Sequence, residues 1–154
     1  MFNDASGTIE NLSRVRMPLF VLLDIAEVPD ASRNFIAIAN PQALTHAAKV
    51  LLDGRAVRLI PDPAGPKLGT LGRWIAAVYE RDIFLQQTRY DPGGGYADGA
   101  SVECFTGDRY TELETLSAQA ALPIGARLSN TVNWEVLPRP EGSDQELVEI
   151  LTQR

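Results

Sequence analysis

The sequence predicts a mostly β protein, an antiparallel β-sandwich with a short C-terminal helix. Short runs of β-branched and aromatic residues recur along the chain, and Gly, Pro, Asp and Asn separate them. Patterns with helical periodicity are scarce. The 154 residues are 45% hydrophobic, which suffices for one core. We therefore expect a single domain over residues 1–154.

The first part of the chain is predicted to contain two strands, followed by a segment that is a helix or a strand. Residues 18–28 form a nearly continuous apolar segment, which is typical of a strand covered on both faces. Residues 33–39 indicate a second strand, and Asn40-Pro41 ends it because proline disfavours helical geometry in the residue before it. Residues 42–52 fit either a short helix or a strand, and the pattern does not decide between them.

Turn signals between apolar runs predict three hairpins. Asp53-Gly54 and Gly107-Asp108 are dipeptides that readily adopt the positive φ angles of two-residue turns. The charged residues Glu80-Arg81-Asp82 separate another pair of apolar runs. The expected strand pairs are 49–52 with 56–60, 71–79 with 83–90, and 101–106 with 109–116.

The C-terminal part changes from strand to helix. A last strand is expected over residues 126–137, before Pro138-Arg139-Pro140. Ser143 and Glu146 then have the spacing of a capping box, and an apolar stripe follows them. The sequence therefore predicts a helix over residues 143–152.

Composition limits the classes of partner. The formal net charge of −6 and the pI of about 4.8 oppose binding to nucleic-acid phosphates, and no cluster of arginines offsets that charge. The longest apolar run is far shorter than the roughly 20 residues of a membrane-spanning helix. The N-terminus lacks the pattern of a secretion signal, and one cysteine cannot form an internal disulfide. We expect a cytoplasmic protein with neither a membrane nor a nucleic-acid partner.

The predicted strand of residues 109–116 places two carboxylates on one face. Because side chains alternate along a strand, Tyr110, Glu112 and Glu114 share a side and Leu113 points to the other. Glutamates two residues apart lie roughly 6.5 to 7 Å from each other, so each raises the proton affinity of the other where water is excluded. Such a pair could supply a general base. The alternative is a solvated face with Leu113 in the core. Glu103 joins this face if the hairpin register allows it.

Other reactive or aromatic side chains favour structural roles. Cys104 lies among apolar or small neighbours and is interpreted as buried filler. His46 has no acidic neighbour in the sequence and is interpreted as a surface or boundary residue. Trp74 and Trp134 lie in predicted strands, which favours core packing for both. One cysteine and one histidine cannot assemble a structural zinc site, and no phosphate-binding glycine loop is present, so neither a metal nor a cofactor is expected.

The order of segments in the chain resembles a known family. The residues that carry the resemblance are 66–69, 72–76, 96–106, 110–116, 122–125 and Trp134. Together they resemble the carboxyl-terminal half of galactose mutarotase-like proteins, nearest to an uncharacterised bacterial branch. The resemblance runs over residues 8–137 and implies a β-sandwich there whose concave sheet holds a sugar.

The resemblance also implies roles for single residues. In the aldose epimerases of this superfamily, a glutamate in a Leu-Glu-Thr context is the general base, and Leu113-Glu114-Thr115 is similar to that motif. Glu114 is therefore the candidate base. His46 does not match the family's general acid, and the family's domain is about twice as long, so the apparatus for epimerisation is incomplete. The expected substrate-binding residues are Glu112, Tyr110, Lys67 and Arg73.

Three functions remain open from the sequence. The first is a carbohydrate-binding protein without full epimerase activity. The second is an aldose 1-epimerase that uses Glu114 as base and takes its acid from a second copy. The third is a structural or protein-interaction module whose edge strands pair with another chain. Half a sandwich exposes strand edges and apolar surface, so we expect a homodimer or, alternatively, a rearranged sandwich closed by the C-terminal helix.

Overall fold

The computed structural model describes residues 16–27 and 34–154. Within these residues it contains ten strands in two antiparallel sheets and two α-helices, which confirms the predicted β-sandwich and C-terminal helix. The strands are β1 Phe20–Asp24, β2 Ile36–Ala39, β3 Ala48–Leu51, β4 Ala56–Leu59, β5 Lys67–Thr70, β6 Trp74–Val78, β7 Asp82–Thr88, β8 Val102–Thr106, β9 Thr111–Thr115 and β10 Val132–Pro138. The helices are α1 Pro41–Ala47 and α2 Asp144–Thr152. Parts of two predicted segments, residue 28 and residue 33, lie outside the described residues, as do residues 8–15 of the predicted sandwich.

The two sheets enclose one core between them, and α2 closes a second. The six-stranded sheet has the order β10-β7-β6-β1-β4-β3, and the four-stranded sheet has the order β2-β5-β8-β9. Strand β1 is buried along its whole length, which confirms a strand covered on both faces. Between the sheets, Leu23 and Ile75 pack against Leu68 and Val102 of the smaller sheet. On the far side of the larger sheet, α2 contributes the apolar residues Leu147, Val148 and Leu151.

The segment of residues 42–52, for which the sequence allowed a helix or a strand, contains both, because α1 is followed directly by β3. The three predicted hairpins are present as β3–β4, β6–β7 and β8–β9. The Asp53-Gly54 turn is a short 3-10 turn over Leu52–Gly54, in which Leu52 has φ 48° and Gly54 has φ 98°. The capping box is also confirmed: the Ser143 side chain accepts from the Glu146 N–H, and the Glu146 carboxylate accepts from the Ser143 N–H.

Several strands are shorter than predicted, and the last two begin later than predicted. The β8–β9 connection has four residues, closed by the Gly107 N–H donating to the Tyr110 carbonyl at 3.0 Å, so β9 begins at Thr111 instead of 109. The last strand begins at Val132 instead of 126. Val132 lies opposite Thr88, the last residue of β7, so residues 126–131 have no strand of that sheet beside them.

The two tryptophans differ in burial. Trp74 is 3% exposed, as predicted, because β6 lies in the middle of the larger sheet. Core packing was the wrong prediction for Trp134, which is 69% exposed. Strand β10 forms the edge of that sheet, and its side chains receive no cover comparable to that of β6. No helix in the described segments is long and apolar enough to cross a membrane.

Candidate functional site

The outer face of the four-stranded sheet carries a cluster of three charged side chains. Pairing places Gly69 opposite Glu103, and Glu103 opposite Glu114, so strands β5, β8 and β9 meet at this point. The Lys67 ammonium lies 2.8 Å from Oε2 of Glu103 and 2.9 Å from Oε1 of Glu114. Lys67 also donates to Oε2 of Glu114 at 3.1 Å. We call Lys67, Glu103 and Glu114 the charged triad.

Glu103 is the buried member of the triad, with 1% of its surface exposed. Its contact with Lys67 is close but poorly aligned, and neither carboxylate oxygen has a hydrogen bond of good geometry to any described residue. Burial raises the pKa of Glu103, and the close Lys67 ammonium offsets this only in part. Burial of the Glu103 carboxylate is therefore unfavourable for the stability of the fold, and the ammonium beside it compensates part of this penalty.

Lys67 is held in its charged form by the two carboxylates. Burial alone would lower the pKa of Lys67, but the interactions with Glu103 and Glu114 outweigh it and raise the pKa above the ordinary lysine value. An ammonium has three N–H donors, and two carboxylates share them here. The three close contacts match the three donors, so Lys67 can donate to a further group only in exchange for one of these contacts.

A short turn covers the Glu103 end of the outer face. Residues Ala97–Gly99 form one 3-10 turn, and Asp98 adopts the left-handed φ of 55°. A Cβ built on Gly69 would lie 2.4 Å from the Cβ of Ala100 and 3.1 Å from Cγ of Glu103. Glycine is therefore required at position 69 for the turn to approach the sheet and seal Glu103 from water.

Two aromatic rings lie at the other end of the same face. Phe105 is two residues from Glu103 on β8 and lies opposite Glu112 on β9. The Tyr110 ring is tilted against the Phe105 ring, with centroids 5.5 Å apart, and it is exposed. The loop of residues 61–66, which contains three prolines, borders this end, since a Cβ built on Gly65 would lie 3.1 Å from the Phe105 ring. The outer face therefore combines an aromatic surface with carboxylate and ammonium groups.

The structure brings together most of the residues that the sequence proposed for binding. Lys67 contacts Glu114, and Tyr110 and Glu112 lie along the same side of β9 or just before it. Leu113 packs toward the core, so the two glutamates do lie on the outward side. Glu112 is exposed, whereas Glu114 is only 37% exposed because Lys67 covers it.

Arg73 belongs to a different cluster. Its Nε and its backbone N–H both donate to Oδ2 of Asp24, at 3.0 Å and 2.8 Å. Asp24 is buried, and its carbonyl accepts from the Thr70 hydroxyl at 2.6 Å. The guanidinium therefore compensates a buried carboxylate in the larger sheet, and the structure does not join it to the triad.

The remaining candidate groups lie apart from the triad. Nε2 of His46 lies 2.7 Å from Oδ2 of Asp62 at the surface, as expected for a surface histidine. Hydrogen bonds from the Ala64 N–H and from His46 lower the pKa of Asp62. Cys104 is fully buried, and burial raises the pKa of its thiol, in agreement with its predicted role as filler.

An open groove of about 350 Å³ lies elsewhere on the surface. The side chains that line it include Arg89, Asp91, Tyr96, Ser129 and Asn130. Tyr96 is fixed there by the Asp91 N–H, which donates to its hydroxyl at 2.8 Å. Among residues 16–27 and 34–154, no group of three or more His, Cys, Asp and Glu side chains is placed to hold a metal ion.

Comparison with known proteins found no match to a family, to a curated protein or to a solved structure.

Proposed function

We propose that this chain binds a neutral sugar on the outer face of its four-stranded sheet, without epimerising it. The observation that carries the proposal is that Glu114, in contact with the Lys67 ammonium, shares one face of the sheet with an exposed aromatic ring, Tyr110. Sugars present hydroxyl groups and apolar C–H surfaces together. Carboxylates accept from the hydroxyls, and aromatic rings pack against the C–H surface.

Each residue of the face has a role in this proposal. Glu114 accepts hydrogen bonds from sugar hydroxyls, and Lys67 donates to a hydroxyl or ring oxygen in exchange for its longest contact with Glu114. Tyr110 and Glu112 line the exposed end, where the sugar ring rests. Glu103 positions Lys67 and is too buried to touch the sugar. Arg73, which pairs with Asp24, is left out of the site.

The triad supports binding more than catalysis. Opening of a sugar ring needs a general acid as well as a base. The raised pKa of Lys67 makes its ammonium a weak acid near neutral pH. The only histidine, His46, contacts Asp62. Glu103, the neighbouring acid with a raised pKa, is too buried to reach a sugar.

The sugar-binding form is proposed to be a homodimer in the cytoplasm. The exposed apolar side chains of β10 support a second copy as partner. The cytoplasmic location is supported by a single cysteine that is buried and unpaired in the described chain.

Isothermal titration calorimetry with D-glucose and D-galactose tests the binding proposal. We expect saturable heat with weak affinity, because an open face leaves much of a sugar in water. The Glu114→Gln variant should lose most of this affinity, whereas Glu149→Gln, on an exposed position of α2, should keep it. Absence of heat with both sugars and a panel of other neutral aldoses would contradict sugar binding.

Polarimetry separates binding from catalysis. Fresh α-D-glucose or α-D-galactose should approach its equilibrium rotation at the same rate with and without the protein. An acceleration that Glu114→Gln abolishes would overturn the non-catalytic part of the proposal and favour an aldose epimerase.

A further inference from the structure

Strand β10 is an edge strand with apolar side chains in the solvent. Within the described part of the chain it pairs only with β7. Trp134 and Val136 are both largely exposed. On the same face, the half-buried Phe84 meets Trp134 edge to face, with ring centroids 5.8 Å apart. Exposed apolar surface on an unpaired edge is characteristic of an interaction site.

The edge of β10 has few of the features that usually prevent pairing, and its one proline, Pro138, is the last residue of the strand. Strand β3, at the opposite edge of the same sheet, has four residues and an exposed lysine, Lys49. Strand β2 has four residues and a register shift, and β9 carries two glutamates. Strand β10 has seven residues and pairs with β7 without interruption. Its one charged residue, Glu135, is neutralised by Arg154 at 3.0 Å.

We propose that β10 pairs antiparallel with β10 of a second copy, with Trp134 opposite the partner's Trp134. The sequence of residues 132–136 is Val-Asn-Trp-Glu-Val. Its pattern of apolar and polar positions is the same from either end, so two antiparallel copies can match position by position. This register sets Val132 opposite the partner's Val136 on one face. On the other face, the Asn133 amide meets the partner's Glu135 carboxylate, a donor opposite an acceptor.

Electrostatics favours this register. Centring the pairing on Glu135 would place two carboxylates directly opposite each other, which is destabilising. With Trp134 at the centre, each Glu135 accepts from Asn133 of the partner as well as from its own Arg154. A specific interface buries about 1,000 Å² or more in total, and a contact through single strand edges is at the small end of that range, so we expect a dimer that dissociates at micromolar concentrations. The two six-stranded sheets then form one continuous sheet.

Light scattering coupled to size exclusion tests the dimer. The unmodified protein should shift from monomer to dimer across micromolar concentrations. Trp134→Lys should remain monomeric, because it replaces the central apolar contact by a charge. Ile150→Lys, at an exposed apolar position of α2, should behave like the unmodified protein. A monomer at every concentration, or a Trp134→Lys variant that still dimerises, would overturn the proposal.

Disulfide trapping tests the register without the Trp134 substitution. When Val132→Cys and Val136→Cys chains are mixed and oxidised, the facing Cα atoms lie within the roughly 4.4 to 6.8 Å that a disulfide spans. In either variant alone, the two new thiols lie about 13 Å apart along the strands. Covalent dimer should form in the mixture and not in the single variants. Equal cross-linking in a single variant would contradict the register.

Cys104 is fully buried and should not contribute to cross-linking. Both tests of the dimer are independent of sugar binding, because Lys67 and Glu114 lie on the other sheet.

Discussion

The Lys67 ammonium lies 2.8 Å from a carboxylate oxygen of Glu103, a side chain with 1% of its surface exposed. The same ammonium contacts Glu114, which reaches the surface. Burial of a carboxylate is unfavourable unless an opposite charge accompanies it. Lys67 therefore links the stability of the smaller sheet to the position of the proposed sugar-binding carboxylate.

Removal of the Lys67 charge should destabilise the fold. Lys67→Met leaves Glu103 buried without a cation, and we expect the free energy of unfolding to fall by about 3 kcal/mol. Urea denaturation monitored by tryptophan fluorescence measures the change. The double variant Lys67→Met with Glu103→Gln should recover much of the loss, because no buried charge remains. Lys49→Met, at an exposed position of β3, is the matched control. Equal stability of Lys67→Met and Lys49→Met would contradict this role of Lys67.

The pH dependence of stability should report the raised pKa of Glu103. Above the ordinary glutamate pKa of 4.5, the folded chain retains a proton that the unfolded chain has lost. The contribution of Glu103 to stability is therefore present below about pH 4.5 and is lost as the pH rises through the folded pKa. Relative to Glu103→Gln, the unmodified protein should lose stability as the pH rises over this range. Urea unfolding at several pH values measures the difference. Two curves that stay parallel would show that Glu103 has an ordinary pKa in the folded protein.

Substitution of Gly69 should disturb the cover over Glu103. A methyl group at Gly69 would lie 2.4 Å from the Cβ of Ala100, so the turn must move or the sheet must distort. Overpacking of this kind costs about 1 to 3 kcal/mol. Gly95→Ala is the control, because the nearest atom to its Cβ is a flexible Gln119 oxygen at 3.8 Å. The comparison is made by urea denaturation, and a neutral Gly69→Ala variant would mean that the turn does not pack as described.

Loss of the capping box should weaken α2. Ser143→Ala removes the side-chain acceptor of the Glu146 N–H, and the expected loss is about 0.5 to 2 kcal/mol. Because Leu147 and Val148 of α2 are part of the core, the loss should appear in global unfolding instead of local fraying alone. Thermal and urea unfolding measure it, with Ser129→Ala in an exposed loop as the control. A variant as stable as that control would show that the cap contributes little.

Alternation and turn residues predicted the strands of the sandwich except β5, the short strand that carries Lys67, which was not predicted. The continuous apolar segment around β1 predicted a strand buried on both faces, and the three hairpins followed from their turn residues. Alternation also placed Tyr110, Glu112 and Glu114 along one side of a strand. The capping box could be predicted from the sequence because its two hydrogen bonds depend on Ser143 and Glu146 alone.

The register of the β8–β9 hairpin could not be predicted from the sequence. A two-residue turn at Gly107-Asp108 would have set Glu103 opposite Glu112. The four-residue connection instead sets Glu103 opposite Glu114, and this pairing gives Lys67 two carboxylates. The partner of Arg73 was missed for a similar reason, because Asp24 lies 49 residues away in the chain and meets it only through sheet packing. Trp134 was predicted wrongly because alternation does not reveal which strand forms an edge.

An amide NMR titration of the ¹⁵N-labelled protein with D-galactose and D-glucose tests sugar binding at the triad most directly. Saturable shift changes should concentrate on β5, β8 and β9 around Lys67, Phe105 and Glu114, and they should disappear in Glu114→Gln. Changes confined to the groove around Arg89 and Asn130, or no changes at saturating sugar, would contradict a sugar site on this face.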